Sequence, residues 1–270
     1  MTQPPNNLDH DDSFEQEESL DQNNSHADMP LLSHLLELRD RLLRSVLSIL
    51  IVFVAMVYWA NDIYLFIADP LIQRLPENAS MVAIDIVAPF LTPFKTTAYV
   101  AVFVAMPYIL HQIWAFVSPG LYRHEKKFAY PLLFSSILLF YAGLAFAYFV
   151  VFPLAWDFLT AVGPEGIDLS PDISSYLSIV LKLFFAFGLA FEIPVATVLL
   201  VWSGLTTVDS LREKRPYVVV GAFVIGMLLT PPDVISQTLL AIPMLILFEF
   251  GIFFAKFSTQ NKDAKKTEQA

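Results

Sequence analysis

Of the 270 residues, 56% are hydrophobic and only 16% are charged, whereas a soluble domain carries about 25% charged residues. That balance, with 24 phenylalanines against 9 glycines, excludes an ordinary water-soluble, loop-rich domain and points to an all-α integral membrane protein. The absence of cysteine removes disulfides, thiolate metal sites and cysteine nucleophiles, and the net charge of -10 is spread too unevenly to describe a partner.

Residues 1–28 hold Asp9, Asp11, Asp12, Glu15, Glu17, Glu18, Asp21 and Asp28 with no Lys or Arg, among Asn, Gln and Ser. Such a stretch cannot bury enough apolar surface to order itself, so a disordered acidic tail is expected. His10 beside Asp11 and Asp12 reads as part of a solvated run rather than a metal cluster. The start lacks a basic region followed by an apolar one, so no cleavable signal peptide is expected, and the first apolar helix directs insertion. The membrane domain is expected over residues 29–257 and a polar tail over 258–270.

Pro30 to Arg41 reads as an amphipathic helix lying at the membrane interface. Glu37 stands four residues before Arg41, which by spacing alone gives an intrahelical ion pair worth a few tenths of a kcal/mol. Six stretches then satisfy the requirement of about 20 mainly apolar residues per crossing, near Leu42–Ala60, Lys95–Val117, Phe128–Phe152, Tyr176–Ser203, Pro216–Thr230 and Ile235–Ala255. The fifth is short for a bilayer, and Thr230-Pro231-Pro232-Asp233 turns it straight into the sixth, so the fifth and sixth form a shallow hairpin of short helices. Between the first and second spans, and between the third and fourth, long proline-bearing loops (Pro70, Pro76, Pro89, Pro93, Pro153, Pro164 and Pro171) suggest structured caps.

The link between the second and third spans, Phe116 to Lys127, sets one carboxylate, Glu125, among Arg123, Lys126 and Lys127. Two readings stand here: the cations merely enforce orientation, or the acid recognises something. His111, the one histidine inside an expected span, reads as a packed or interfacial residue. Glu192 falls near the middle of the fourth span, where an ionisable group costs a few kcal/mol and faces a bundle interior or a wet cavity; Pro194 beside it should kink the helix. Lys182 is about 15 Å away along the axis and snorkels outward, and Glu249 is interfacial.

Thirteen of the 16 basic residues fall on the two tails and on the second and fourth links, which puts both termini in the cytoplasm. No nucleophile elbow, P-loop, zinc-protease motif or dinucleotide turn is present, so no enzyme, cofactor or metal is expected, and nothing suggests nucleic acid. No inverted repeat of the kind common in secondary transporters is found, although Glu192 leaves a proton-coupled carrier of small solutes as the alternative.

Several motifs in unbroken order carry a resemblance over about residues 30–257: Ser33-His34-Leu35-x-Glu37-Leu38-Arg39, Ile113-Trp114-Ala115-Phe116-x-x-Pro119-x-Leu121-Tyr122-x-His124-Glu125, Ala145 through Pro153, Phe191-Glu192-x-Pro194, and Lys214-Arg215-Pro216-Tyr217 through Leu228-Leu229-Thr230-Pro231-Pro232-Asp233. The chain resembles the TatC family, the C subunits of the bacterial twin-arginine translocase, in its Gram-negative form. The resemblance implies a multi-pass protein of the cell inner membrane, surrounded by lipid and working in a multimeric TatBC complex. Its partners would be TatB, TatA and folded precursor proteins bearing twin-arginine signal peptides, exported at the expense of the proton motive force. It further implies a signal-peptide site at Glu37 and Glu125 with Arg39, Phe116 and Tyr122 around them. Pro70, Asp85 and Asp233 would serve on the periplasmic side, Glu192 and Gln237 inside the membrane, and Met227 and Leu228 at the surface where partner helices dock.

Overall fold

In a computed structural model of the chain, residues 35–73, 81–117, 126–162, 170–229 and 234–268 are described. All the regular elements among them are helical. Leu35–Ile72 forms α1, Ala88–Val117 α2, Lys126–Phe146 α3, Phe152–Val162 α4, Ile173–Ala190 α5, Ile193–Trp202 α6, Val208–Glu213 α7, Arg215–Leu229 α8 and Val234–Glu268 α9. The expected segments at 1–28 and 230–233 lie outside the described residues.

Five stretches are long and apolar enough to cross a membrane, and Arg215–Leu228 is a shorter apolar helix, so the expected six-span, all-α architecture is present. The short fifth span is α8, with 15 residues, about 22 Å at 1.5 Å per residue. The apolar part of α9, Gln237–Phe257, spans 21 residues, and the Lys- and Glu-bearing remainder continues helical to Glu268.

The first span is longer than the sequence suggested. The interfacial segment and the first apolar run merge into one rod, interrupted only by a 3-10 turn at Val57–Trp59, and the stretch beyond, Ala60–Ile72, remains helical. Nothing in 35–56 breaks a helix, and no glycine or proline intervenes until Pro70. Opposite α1, a five-residue π-helical turn at Ala147–Val151 joins α3 to α4, so the third crossing also overshoots its expected end.

Prolines inside these spans create a definite problem: each lacks an N–H, so the carbonyl four residues earlier loses its helical donor, and lipid cannot supply one. At two of these prolines, Pro107 and Pro70, a tyrosine hydroxyl stands in for the missing donor. Pro107 in α2 orphans the Phe103 carbonyl, and the Tyr141 hydroxyl of α3 donates to that oxygen at 3.1 Å. Pro70 orphans the Phe66 carbonyl, which accepts from the Tyr148 hydroxyl at 3.4 Å.

The main core joins the end of α1 to α2, α3 and α5 around Leu71, Phe140, Leu177, Leu181 and Phe187, all fully buried. Gly143 makes the α3–α5 approach possible, since a Cβ there would lie 2.5 Å from the Phe187 carbonyl oxygen. A second packing centre joins α6, α8 and α9: Ala190 at the end of α5, Ala222, Ala241 and Met244 pack with Ile193 of α6, and Leu211 of α7, Phe248 and Ile252 continue it.

The two proline-bearing links meet at one end of the bundle. Val82 N–H donates to the Pro171 carbonyl at 3.1 Å and Ile173 N–H to the Val82 carbonyl at 2.9 Å, an isolated parallel bridge between Val82 and Asp172. Lys95 Nζ donates to Ser178 Oγ at 2.9 Å nearby. The expected structured cap on this side is thus a backbone clip.

Candidate functional site

The expected recognition acids start from Glu37, in the first turn of the described part of α1. The i,i+4 spacing puts Arg41 over it, and the Glu37 Oε1 atom accepts from Arg41 Nε at 3.0 Å and from Nη2 at 2.5 Å. The carboxylate still keeps 37% of its side-chain exposure. A planar guanidinium is therefore already gripped there through two of its nitrogens, the geometry available to arginine and not to lysine. Arg39 points away and pairs with Asp40 through Nε and Nη2, at 3.0 and 2.8 Å, on an exposed surface where such pairs contribute little. Phe116 lies half-buried in the last turn of α2. Tyr122 and Glu125 lie outside the described residues.

Glu192 occupies the break the sequence anticipated. Phe191 and Glu192 form a turn between α5 and α6, and Pro194 at the start of α6 cannot donate back into α5. Glu192 Oε2 accepts a hydrogen bond from the Ser136 hydroxyl of α3, while Oε1 is buried with no hydrogen-bond partner among the described residues. Phe146 walls the break, its ring centroid 5.6 Å from that of Phe187 and 5.5 Å from that of Phe191. Lys182 is exposed and away from this cluster, as expected.

On the clip side, Pro70 is buried within α1. Asp85 caps α2: its Oδ1 accepts from Val87 N–H at 3.1 Å and its backbone carbonyl from Ala88 N–H at 3.1 Å, which satisfies donors a helix start leaves open. Asp233 lies outside the described residues. Sequence reasoning missed Asp172, which does two tasks. Its Oδ2 accepts from Ser175 N–H at 2.9 Å to cap α5, and its Oδ1 accepts from Ile84 N–H at 3.3 Å across the clip. Hydrogen bonding from Ser175, with lesser bonds from Ile84 and Ser174, holds this carboxyl below its ordinary value. An acidic residue three before a serine at the head of an apolar run is a start signal that could have revealed it.

Met227 and Leu228 project outward from α8, Leu228 with 71% exposure. Their neighbour Gly226 backs onto α9, where a Cβ would come within 3.4 Å of the Gln237 carbonyl oxygen. The structure thus brings Met227, Leu228 and Gln237 onto one helical hairpin. Two further partners escaped the sequence: Ser136, whose only signal is a hydroxyl inside an apolar run, and Arg215, which binds Glu249 of α9 at 2.6 Å.

Comparison with known proteins agrees with these features. Residues 33–243 match the family described as Sec-independent protein translocase protein (TatC). The chain is 58% identical over 234 residues to the Sec-independent protein translocase protein TatC of Haemophilus influenzae, covering 87% of this chain and 91% of that one. It is 58% identical over 228 residues to its counterpart in Escherichia coli K12, covering 84% and 88%. A crystal structure of a twin arginine translocase receptor, TatC, superposes with a TM-score of 0.76 at 41% identity, covering 84% of this chain and 99% of that one.

Proposed function

The chain belongs to the TatC family, as a multi-pass, non-enzymatic subunit of the Sec-independent protein translocase, and from that premise we propose that it is the receptor for twin-arginine signal peptides. Glu37 and Glu125 form the acidic clasp, with Arg39, Phe116 and Tyr122 at its margin. The observation that carries this reading is the Glu37 carboxylate, which accepts two N–H groups of one guanidinium with 37% of its side chain exposed. An incoming arginine would replace Arg41 in kind, so the exchange conserves hydrogen bonds, whereas lysine would offer a point charge without the fork. The cations of the two segments, Arg39, Arg41, Arg44, Arg123, Lys126 and Lys127, repel cationic segments that fail to engage both acids.

TatB and TatA helices dock on the α8–α9 hairpin at Met227, Leu228 and Gln237, and the assembled complex exports folded precursors using the proton motive force. Both termini lie in the cytoplasm and the membrane is the bacterial inner membrane. Membership of a protein translocase family weighs against the small-solute carrier as a reading of Glu192.

The test is photocrosslinking of an Arg-Arg signal peptide and its Lys-Lys twin to the full chain in membranes. Glu37→Ala and Glu125→Ala are each expected to weaken Arg-Arg capture on the order of tenfold, the value of a charge-assisted hydrogen bond, while the protein stays inserted. Capture unchanged in both variants, or equal capture of the Lys-Lys peptide, removes the clasp.

A further inference from the structure

At the end of the bundle opposite the Val82–Asp172 clip, a cavity of about 260 Å³ opens between α7, α8 and α9. Arg212, Arg215 and Lys256 line it against a single lining carboxylate, Glu249, with Phe253 and Phe257 as an apolar rim. The lining therefore carries a surplus of positive charge. Arg215 commits one nitrogen to Glu249 at 2.6 Å, and Arg212 commits one to Asp209 at 3.1 Å, a largely exposed acid outside the cavity. Each guanidinium has five N–H donors, so most remain for another acceptor. No ion pair joins Lys256 to a described residue.

A second hollow, of about 540 Å³, runs on from the first and shares Glu249 and Phe253 with it. It is shallow, and its other lining residues, Leu245, Ile246 and Phe250, lie with those two on the single helix α9. From Lys256 to Leu245 is eleven residues, about 16 Å along the helix, or roughly half of a 30 Å hydrocarbon core. The two hollows together have the shape of an amphiphile: a cationic head compartment, then an apolar track one leaflet deep.

We propose that this composite groove is a binding site for one anionic phospholipid, its phosphate held by Arg212, Arg215 and Lys256 and an acyl chain laid along Leu245, Ile246, Phe250 and Phe253. A soluble phosphate would fill the head compartment alone and leave the track unused, which is why the lipid is the occupant the shape selects. Binding there would brace the Arg215–Glu249 tie between α8 and α9, the hairpin whose outer face carries Met227 and Leu228.

The test is native mass spectrometry of the detergent-purified full chain titrated with dioleoyl phosphatidylglycerol, dioleoyl phosphatidylcholine or inorganic phosphate. The wild type is expected to retain one phosphatidylglycerol in preference to phosphatidylcholine. Arg212→Gln and Lys256→Gln are each expected to weaken that retention about fivefold and together about thirtyfold, at about 1 kcal/mol per basic residue near an anionic headgroup. Both variants leave the Arg215–Glu249 pair in place, and Lys256→Arg, which keeps the charge, should retain the lipid and so separates loss of binding from loss of folding. Equal retention of the two lipids, unchanged retention in the double variant, or displacement of phosphatidylglycerol by millimolar inorganic phosphate overturns the proposal.

Discussion

Two carboxylates illustrate how differently one residue type behaves at the two depths it occupies here. Glu37 is half-solvated, and its bond to Arg41 is one that spacing alone anticipated; its local strength is small because water and ions screen it. Glu192 is held by Ser136 at a helix break and leaves one buried oxygen without a partner among the described residues. Ser136→Ala should therefore cost about 1–3 kcal/mol, because it strips the carboxyl of its donor rather than removing both partners. Thermal unfolding in detergent measures this, and a melting temperature equal to wild type would show that Ser136 does not support Glu192. Glu192 was legible in the sequence because a lone acid in an apolar run stands out. Ser136 was not, since one hydroxyl among several on α3 gives no hint of which faces a helix 56 residues further on.

Among elements, the decisive devices are those that let irregular backbone survive in lipid. The Tyr141 hydroxyl supplies the donor that Pro107 withholds from the Phe103 carbonyl, so Tyr141→Phe should destabilise the bundle by about 1–3 kcal/mol. Pro107→Ala restores the backbone N–H, and the double variant should recover most of that loss; purely additive effects in this cycle would refute the coupling. At the clip, Asp172 caps α5 and ties the link before α2 to it. Because the folded state holds this carboxyl below its ordinary value, its contribution is complete above about pH 4 and disappears as pH falls through the lowered value. Asp172→Asn should flatten the low-pH arm of stability against pH, and an arm identical to wild type would exclude the role. Span positions and the helix break at Pro194 were readable from hydropathy and proline placement. The clip was not, because a bridge between residues 82 and 172 leaves no local pattern in either segment.

Taken whole, the molecule is a main core joining the end of α1 with α2, α3 and α5, and a second packing centre uniting α6, α8 and α9. The Val82–Asp172 bridge and the Arg215–Glu249 pair mark its opposite ends. Among the described residues Arg212, Arg215 and Lys256 gather at the second end, and the distribution of basic residues along the chain sets the expected orientation. With no native cysteine, Ser170→Cys and Ser210→Cys report it directly: an impermeant maleimide should label Ser170→Cys in intact cells and leave Ser210→Cys untouched, and the reverse pattern would invert the topology. The sequence by itself determined that the chain lives in a membrane, that it crosses six times, and that it is built like its family, because apolar run length, charge asymmetry and ordered motifs are properties of the linear chain. Only the tertiary structure decided which hydroxyl serves which orphaned carbonyl, which serine holds Glu192, and how Arg212, Arg215 and Lys256 come to border one groove. Those pairings join residues on different helices, and hydrogen-bond satisfaction in a medium without water depends on how the helices pack rather than on the order of residues along them.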